Sequence, residues 1–310
     1  METSCSLFPL AHVSTMSSAS MQQLGCSVDT RHVEIVPHNL PTPTSQSPLR
    51  KDEWKKTFSF TTAKSIGRGA SGTVFAINDA WVIKVFGRDA EAQSYLVREK
   101  EIFDELQIPV PSDYIIYCKE QWASGLILER FECTLRERLK TFVAGNSKSS
   151  HPSALMWSLE CCRGLAFLHD NDVIHGDIGC QNVLVSASGH AKICDFAGSK
   201  IGQKDALVAY EIRSQHVRYS GQQPTITTEI FAIGSLLFEI WASKPPYAAE
   251  LDSVVKERFR VGEFPIGSIS NLSMKGVIHR CWLGVYHTVS GVCEDLEAVK
   301  PIPEFSTLAD

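Results

Sequence analysis

Five residues of this sequence have types and spacings suited to handling a phosphate group. Asp177 and Asn182 stand five apart in Val173-Ile174-His175-Gly176-Asp177-Ile178-Gly179-Cys180-Gln181-Asn182-Val183-Leu184-Val185, a run that reads as a loop leading into a strand. A carboxylate at the first position can orient a hydroxyl nucleophile and accept its proton. An amide at the second can ligate Mg²⁺ through its oxygen without adding charge. Asp195 follows in Ala191-Lys192-Ile193-Cys194-Asp195-Phe196-Ala197-Gly198, after a strand, as a second hard oxygen ligand. Upstream, Trp81-Val82-Ile83-Lys84 places a lysine in an otherwise apolar strand, which is costly unless the charge is paired. Glu99 is the partner expected. Helical spacing sets it on one face with Ile102 and Phe103, while Glu101 points elsewhere and reads as a solvated acid.

Before Lys84 comes Gly67-Arg68-Gly69-Ala70-Ser71-Gly72-Thr73-Val74. Glycines at these spacings let a backbone approach phosphate oxygens and take up positive φ. A dinucleotide-binding loop shares the pattern, and an acid near Asp89 would feed that reading, but such a loop must open directly into a helix. Here Thr73-Val74-Phe75-Ala76-Ile77 is β-branched and strand-like. Thr73 also stands where a Walker loop needs lysine.

These residues need elements to hold them. Strand-like runs are expected at Thr57–Ile66, Thr73–Ile77, Trp81–Phe86, Tyr114–Lys119 and Gly125–Phe131, with a helix over Asp89–Leu106 that ends before Pro109. Helices are expected at Ser153–His169, Ile226–Ala242, Ser253–Arg260 and Met274–Trp282. In the first of these, Leu155, Leu159, Cys162 and Ala166 form the apolar face. A strand-rich front half and a helical back half predict two lobes with a cleft between them. Residues 1–53 are rich in Ser, Thr and Pro and read as a disordered tail open to phosphorylation; a mitochondrial presequence is the competing reading, weakened by the lateness of Arg31. Residues 54–310 form the folded domain, with lobes at 54–130 and 131–310.

The 310 residues are 44% hydrophobic with a formal net charge of −5, so a core is affordable and no basic field points to nucleic acid or a membrane surface. Ten cysteines without Cys-x-x-Cys pairs, several within apolar runs, fit free thiols in cytoplasm or nucleus better than a disulfide framework. No signal peptide is expected at the start. The longest apolar run, from Ile226, is broken by Glu229 and Glu239 and is too short to span a bilayer.

Gly-rich loop, strand lysine, helix glutamate, H-x-D-x-x-x-x-N and D-F-x, in this order, resemble the protein kinase superfamily over about residues 58–300. The pairing of His-Gly-Asp-Ile-Gly with Asp-Phe-Ala-Gly-Ser is similar to a group of kinase-like proteins abundant in filamentous fungi. The resemblance implies an α+β bilobal fold: a small antiparallel-sheet lobe with one helix, and a mainly helical lobe. It further implies ATP and Mg²⁺ as cofactors and a protein hydroxyl, Ser/Thr by default, as acceptor. Asp177, Lys84 and Glu99 would be catalytic, and Asn182 and Asp195 metal ligands. Gly67, Arg68, Gly69, Ala70, Ser71, Gly72, Val74, Val82, Lys84, Leu128, Glu129 and Leu184 would hold the nucleotide, Leu128-Glu129-Arg130 resembling the hinge. Ile230–Gly234 resembles the central helix of the large lobe.

The sequence departs from that pattern. Gly176 replaces the arginine that pairs with a phosphorylated activation loop, so that switch should be absent. Gly179 replaces the lysine that contacts the γ-phosphate, and Gln181 is not the arginine that serves instead in tyrosine kinases. Gly179 could occupy a positive-φ position, and Lys200 could substitute for the missing cation. Ala197 stands where the glycine of Asp-Phe-Gly belongs. His216-Val217-Arg218-Tyr219 replaces Ala-Pro-Glu, and Val289 the arginine that would pair with its glutamate. Glu229 replaces an aspartate with a longer reach. Two further readings stay open: a nucleotide-binding or empty scaffold, and a small-molecule phosphotransferase, whose His-Gly-Asp loop His175-Gly176-Asp177 resembles.

Overall fold

The computed structural model describes residues 55–56, 58–106, 111–144, 151–219 and 221–299. The tail expected over residues 1–53, the boundary at Trp54 and the stop before Pro109 lie outside them.

The front lobe is a five-stranded antiparallel sheet: β1 (Ser65–Arg68), β2 (Thr73–Ala76), β3 (Trp81–Val85), β4 (Cys118–Trp122) and β5 (Gly125–Glu129), in the order β1-β2-β3-β5-β4. Asn78 closes the β2–β3 turn, its side-chain oxygen accepting from the N–H groups of Ala80 and Trp81 at 2.9 Å each, a backbone-mimicking turn that short amides favour. Helix α1 (Ala90–Leu106) covers one sheet face with Leu96, Ile102, Phe103 and Leu106 buried. Asp89 caps it, accepting from the Ala92 N–H at 2.9 Å. The acid that a dinucleotide site would have used is therefore a helix cap.

Two expected strands are corrected. Thr57–Ile66 does not form one strand. Ser59 accepts at its carbonyl from the N–H groups of Thr62 and Ala63, and its hydroxyl meets that of Thr61. Such local bonding competes with a ladder, so β1 begins only at Ser65. Phe58 and Phe60 instead pack edge-on to each other and against Trp122. The strand expected at Tyr114–Lys119 starts at Cys118, because Tyr114 and Ile116 bond to the backbone of Ile193 in the other lobe.

The second lobe is mainly helical: α2 (Leu135–Ala144), α3 (Ala154–Asp170), α4 (Ile226–Ala242), α5 (Asp252–Arg260), α6 (Leu272–Trp282) and α7 (Val289–Glu297). Short strands β6 (Cys133–Thr134), β8 (Val183–Val185) and β9 (Ala191–Ile193) pair as one sheet, and β7 (Val173–Ile174) with β10 (Lys200–Ile201) as another. α4 is buried around nearly its whole circumference, as its composition requires of a central helix. Thr225 and Thr228 close a capping box at its start. On α3 the buried stripe runs through Ala154, Trp157, Ser158, Cys161, Leu165 and Leu168. The expected face lies on its flank: Cys162 is buried, but Leu155, Leu159 and Ala166 are half-buried. The tryptophans that seal the core have their indole N–H groups satisfied, Trp241 by Ser158 at 3.0 Å and Trp282 by Ser235 at 3.1 Å. All eight described cysteines are free thiols.

Helix α4 approaches α6 closely at Gly234, where an added Cβ would sit 2.9 Å from Trp282 Cδ1 and 3.0 Å from Cys281 Cβ. Overpacking of this kind costs about 1–3 kcal/mol. Gly234→Val should lower the urea midpoint accordingly with an unchanged m-value; an unchanged midpoint would contradict this packing.

Candidate active site

Lys84 lies in β3 opposite Val74 and Leu126, and its register turns the side chain inward toward α1. Its ammonium donates to Glu99 Oε2 and to Asp195 Oδ1, both at 2.6 Å. Glu99 is 1% exposed, and its other oxygen accepts from the Phe196 N–H at 3.3 Å. Burial would drive Lys84 toward the neutral amine, but the charges of Asp195 and then Glu99 outweigh it and hold its pKa above the ordinary lysine range. Burial likewise disfavours the Asp195 anion, and Lys84 reverses that, so the carboxylate stays ionised below its usual pKa.

Asp195 has φ +67°, a left-handed conformation uncommon for a residue with a Cβ, and the Lys84 contact holds it there. Phe196 is fully buried, edge-on to Phe103 of α1 at 5.5 Å and near His175 at 5.6 Å. Ala197 is buried without positive φ.

The Asp177 loop hangs from Glu229 on α4. Glu229, fully buried, accepts from the N–H groups of His175 at 3.1 Å and Gly176 at 2.8 Å, and meets His169 Nε2 at 2.6 Å. Burial pushes its pKa up, but the His169 hydrogen bond and charge pull it below the usual carboxylate value. Gly176 has φ +79°, so a glycine there serves backbone geometry as well as removing an arginine. Asn182 donates to the Asp177 carbonyl at 2.7 Å and to its carboxylate at 3.1 Å. Burial pushes the Asp177 pKa up to about 6, against the pull of His175 and Asn182.

The Gly-rich loop differs from expectation. None of Gly67, Gly69 and Gly72 has positive φ. Gly72 is required because an added Cβ would lie 2.5 Å from the Val85 carbonyl oxygen, a constraint of strand approach. Gly69 faces open space, flanked by exposed Arg68 and Ala70. Ser71 reaches down to Asp195 Oδ1 at 3.2 Å. Val74, Val82, Leu128 and Leu184 are buried or half-buried on β2, β3, β5 and β8. Val82 faces Leu128 across the ladder, giving an apolar lining. The Glu129 side chain turns away to Lys192 and the Tyr117 N–H, both at 2.7 Å, while its own N–H donates to the Tyr117 carbonyl at 3.1 Å.

Gly179 is extended, at φ −175°, not left-handed as its residue type allowed. Its empty side-chain position is filled by Gln181: an added Cβ would lie 2.3 Å from Gln181 Oε1, which is itself buried without a hydrogen-bond partner. Gln181 was not singled out for a positive role in the sequence, and only its place two residues after a glycine hinted at one. Lys200 pairs with Ile174 across the β7–β10 ladder and has no contact with Asp177 or Asp195.

Sequence reasoning also missed Arg98, buried on α1, which donates to the backbone carbonyls of Ser199 and, at 2.8 Å, Asp205. Glu101, on the same helix as Arg98, pairs with Lys204 of the segment after β10. Of the hydroxyls after Asp195, Ser199 is fully buried and bonded to the His175 carbonyl at 2.9 Å, Ser214 is buried, and Tyr210 packs its hydroxyl against Thr228 and Glu229 at 3.4 Å each. Val289 is buried at the start of α7, so no charge is stranded where the paired arginine and glutamate are both missing.

A sheet lobe carrying a lysine–glutamate pair thus meets a helical lobe whose loops bring two aspartates and an asparagine toward it. Residues 60–275 match the protein kinase domain, and the chain belongs to that family. It is 26% identical to the probable serine/threonine-protein kinase PknB of Lactococcus lactis, over 68% of this chain and 35% of that protein. It is 27% identical to the MAP kinase kinase MKK1/SSP32 of Saccharomyces cerevisiae, over 60% and 39%, and 25% identical to cyclin-dependent kinase 20 of Danio rerio, over 60% and 58%. The matches thus span only 35–58% of these relatives' lengths. No helix among the described residues is long and apolar enough to cross a membrane.

Glu229 explains its own extra methylene: it reaches His169 while still holding the loop. Glu229→Asp should forfeit the His169 contact and cost about 1–3 kcal/mol, the worth of a charged hydrogen bond. Because both residues share that bond, Glu229→Asp and His169→Ala should be strongly non-additive in a denaturation double-mutant cycle. Additive effects would show that the bond contributes nothing.

Proposed function

We propose that this chain transfers the γ-phosphate of ATP to a protein hydroxyl, Ser or Thr. The observation that carries the reading is the assembled Lys84–Glu99–Asp195 cluster, with Asp177 and Asn182 hydrogen-bonded beside it. Lys84, fixed by Glu99, orients the α- and β-phosphates. The apolar residues Val74, Val82, Leu128 and Leu184 enclose the base, and the open backbone at Gly69 leaves room over the phosphates.

The donor set fits Mg²⁺. Asp195 offers a carboxylate oxygen not used by Lys84, and Asn182, with its amide nitrogen committed to Asp177, offers its oxygen. No cluster of three or more His, Cys, Asp or Glu side chains able to hold a metal occurs among the described residues, which suits an ion held by few protein oxygens together with phosphate and water. Bound there, Mg²⁺ supplies charge neutralisation on the transferring group. Asp177, oriented by Asn182, receives the proton of the acceptor hydroxyl; its pKa near 6 places it close to neutrality, where a base works best.

Mg²⁺-ATP should raise the melting temperature by several degrees at saturating concentration. Lys84→Met should shrink that shift, each protein being compared with its own ligand-free baseline, because removing the lysine strands Glu99 and lowers the baseline as well. Radiolabel transfer to peptides should fall about 10²–10⁴-fold in Asp177→Asn. No shift at millimolar ATP would leave the scaffold reading, which the missing loop cation and the Ser71–Asp195 contact favour.

Gly179→Lys tests that missing cation. The positive-φ obstacle is gone, but Gln181 fills the space. Gly179→Lys combined with Gln181→Ala should raise kcat about tenfold with little change in the KM for ATP, since the added charge acts in the transition state. Gly179→Lys alone should gain less. An equal gain with Gln181 present would show that its side chain is no barrier.

A further inference from the structure

A cavity of about 720 Å³ lies between α2, the segment around Glu211–Arg213, the end of α4 and the start of α5. Both α2 and α4 pack against the Cys180–Asn182 turn that follows Asp177, so the cavity adjoins the place where an acceptor hydroxyl must sit.

Its charges are unequally committed. Arg136 takes up both inner carboxylates, meeting Glu239 at 2.7 and 2.9 Å and Glu211 at 3.1 and 3.0 Å, all four contacts from one guanidinium. Asp252 is held by Arg213 at 2.6 Å, and the same arginine donates to the Glu250 carbonyl at 2.6 Å. Every acid lining the cavity therefore already has an arginine. Lys140 and Lys244 line it too, both exposed, and neither has an ion pair among the described residues. Ser243 also lines it, with its Oγ buried away from the opening. A cationic segment entering here would find only carboxylates already paired with an arginine, whereas an anionic one would find two lysines without an ion pair.

We propose that this cavity binds an acidic, Asp/Glu-bearing segment of the protein substrate, with Lys140 and Lys244 as its contacts and Arg136 as an internal cation that abolishes any preference for basic sequences. The inference rests on the reading of the chain as a protein phosphotransferase and supplies the substrate class for it. Both lysines are solvent-exposed, so the attraction is screened by salt and acts over a short range.

The test measures binding directly. Three fluorescent peptides share a central serine flanked by glutamates, glutamines or lysines, and their affinities for the full chain are read by anisotropy at low and high salt. The acidic peptide should bind at least tenfold tighter than the basic one at low salt, and the advantage should shrink as salt rises. Lys140→Glu/Lys244→Glu should remove most of that advantage while leaving the Mg²⁺-ATP melting shift intact. Arg136→Gln, which releases Glu211 and Glu239, should strengthen binding of the basic peptide; if it fails to fold, the lysine variant alone decides. Equal binding of all three peptides, a preference for the basic one, or an acidic preference untouched by the lysine reversal would overturn the proposal. The nucleotide reading fails separately: acidic preference without an ATP shift would sink phosphotransfer and keep the groove, and an ATP shift without acidic preference would do the reverse.

Discussion

The ammonium of Lys84 lies between two carboxylates from different parts of the molecule, and the geometry of the cleft follows from that. Glu99 belongs to the helix on the sheet, and Asp195 to a loop of the helical lobe, so one charge ties β3, α1 and the second lobe together. None of the three is cheap alone. The lysine is in an apolar strand, Glu99 has almost no contact with water, and Asp195 sits in a left-handed conformation. Breaking such a group by removing one member is far more costly than its net worth suggests, because the remaining charges stay buried. The cluster therefore favours one arrangement of helix, sheet and loop over alternatives that would leave a charge without its partner.

A second tie anchors the other side. Glu229 reaches from the most buried helix to the backbone before Asp177, and His169 on α3 fixes the carboxylate. Arg98 extends the network by gripping the carbonyls of the segment after Asp195. In a phosphate-gated arrangement an arginine beside the catalytic aspartate would await a modified loop. Here a helix arginine already holds that loop by its backbone, and a glycine occupies the other position. The observed hydroxyls are buried or bonded, consistent with a segment ordered by the fold itself.

Much of this was legible because it obeys local rules. The Lys84–Glu99 pairing followed from the cost of a lysine in an apolar strand and from helical spacing, and α4 matches its expected span of Ile226–Ala242 residue for residue because its apolar run is capped at Thr225. What stayed hidden depended on partners distant in sequence. Tyr114 and Ile116 look like part of a strand of the first sheet, yet their hydrogen bonds go to Ile193. The short helix α2 escaped notice although its Thr134–Glu137 pair is a capping box, with bonds of 2.9 and 3.2 Å. Arg98 carries no local signal of burial in the sequence, and its carbonyl partners at Ser199 and Asp205 are about a hundred residues away. Gly72 answers to a constraint that the loop pattern did not show, the close approach of the Val85 carbonyl.

Those distant partners also bear on the missing loop cation. A loop that had merely lost its lysine would leave a void at Gly179, and water would fill it. Instead Gln181 folds back over the glycine and buries its amide oxygen without a partner, a penalty of about 1–3 kcal/mol for an unsatisfied group. That oxygen is an acceptor the protein itself leaves unused. The loop has thus exchanged a fixed positive charge for a neutral group. An amide acts only through local, directional hydrogen bonds, where a lysine would have acted on phosphates through its charge. On the proposed reading, stabilisation of a transferring phosphoryl group would rest mainly on Lys84 and a bound metal, with no charge contributed from the Gly179 position.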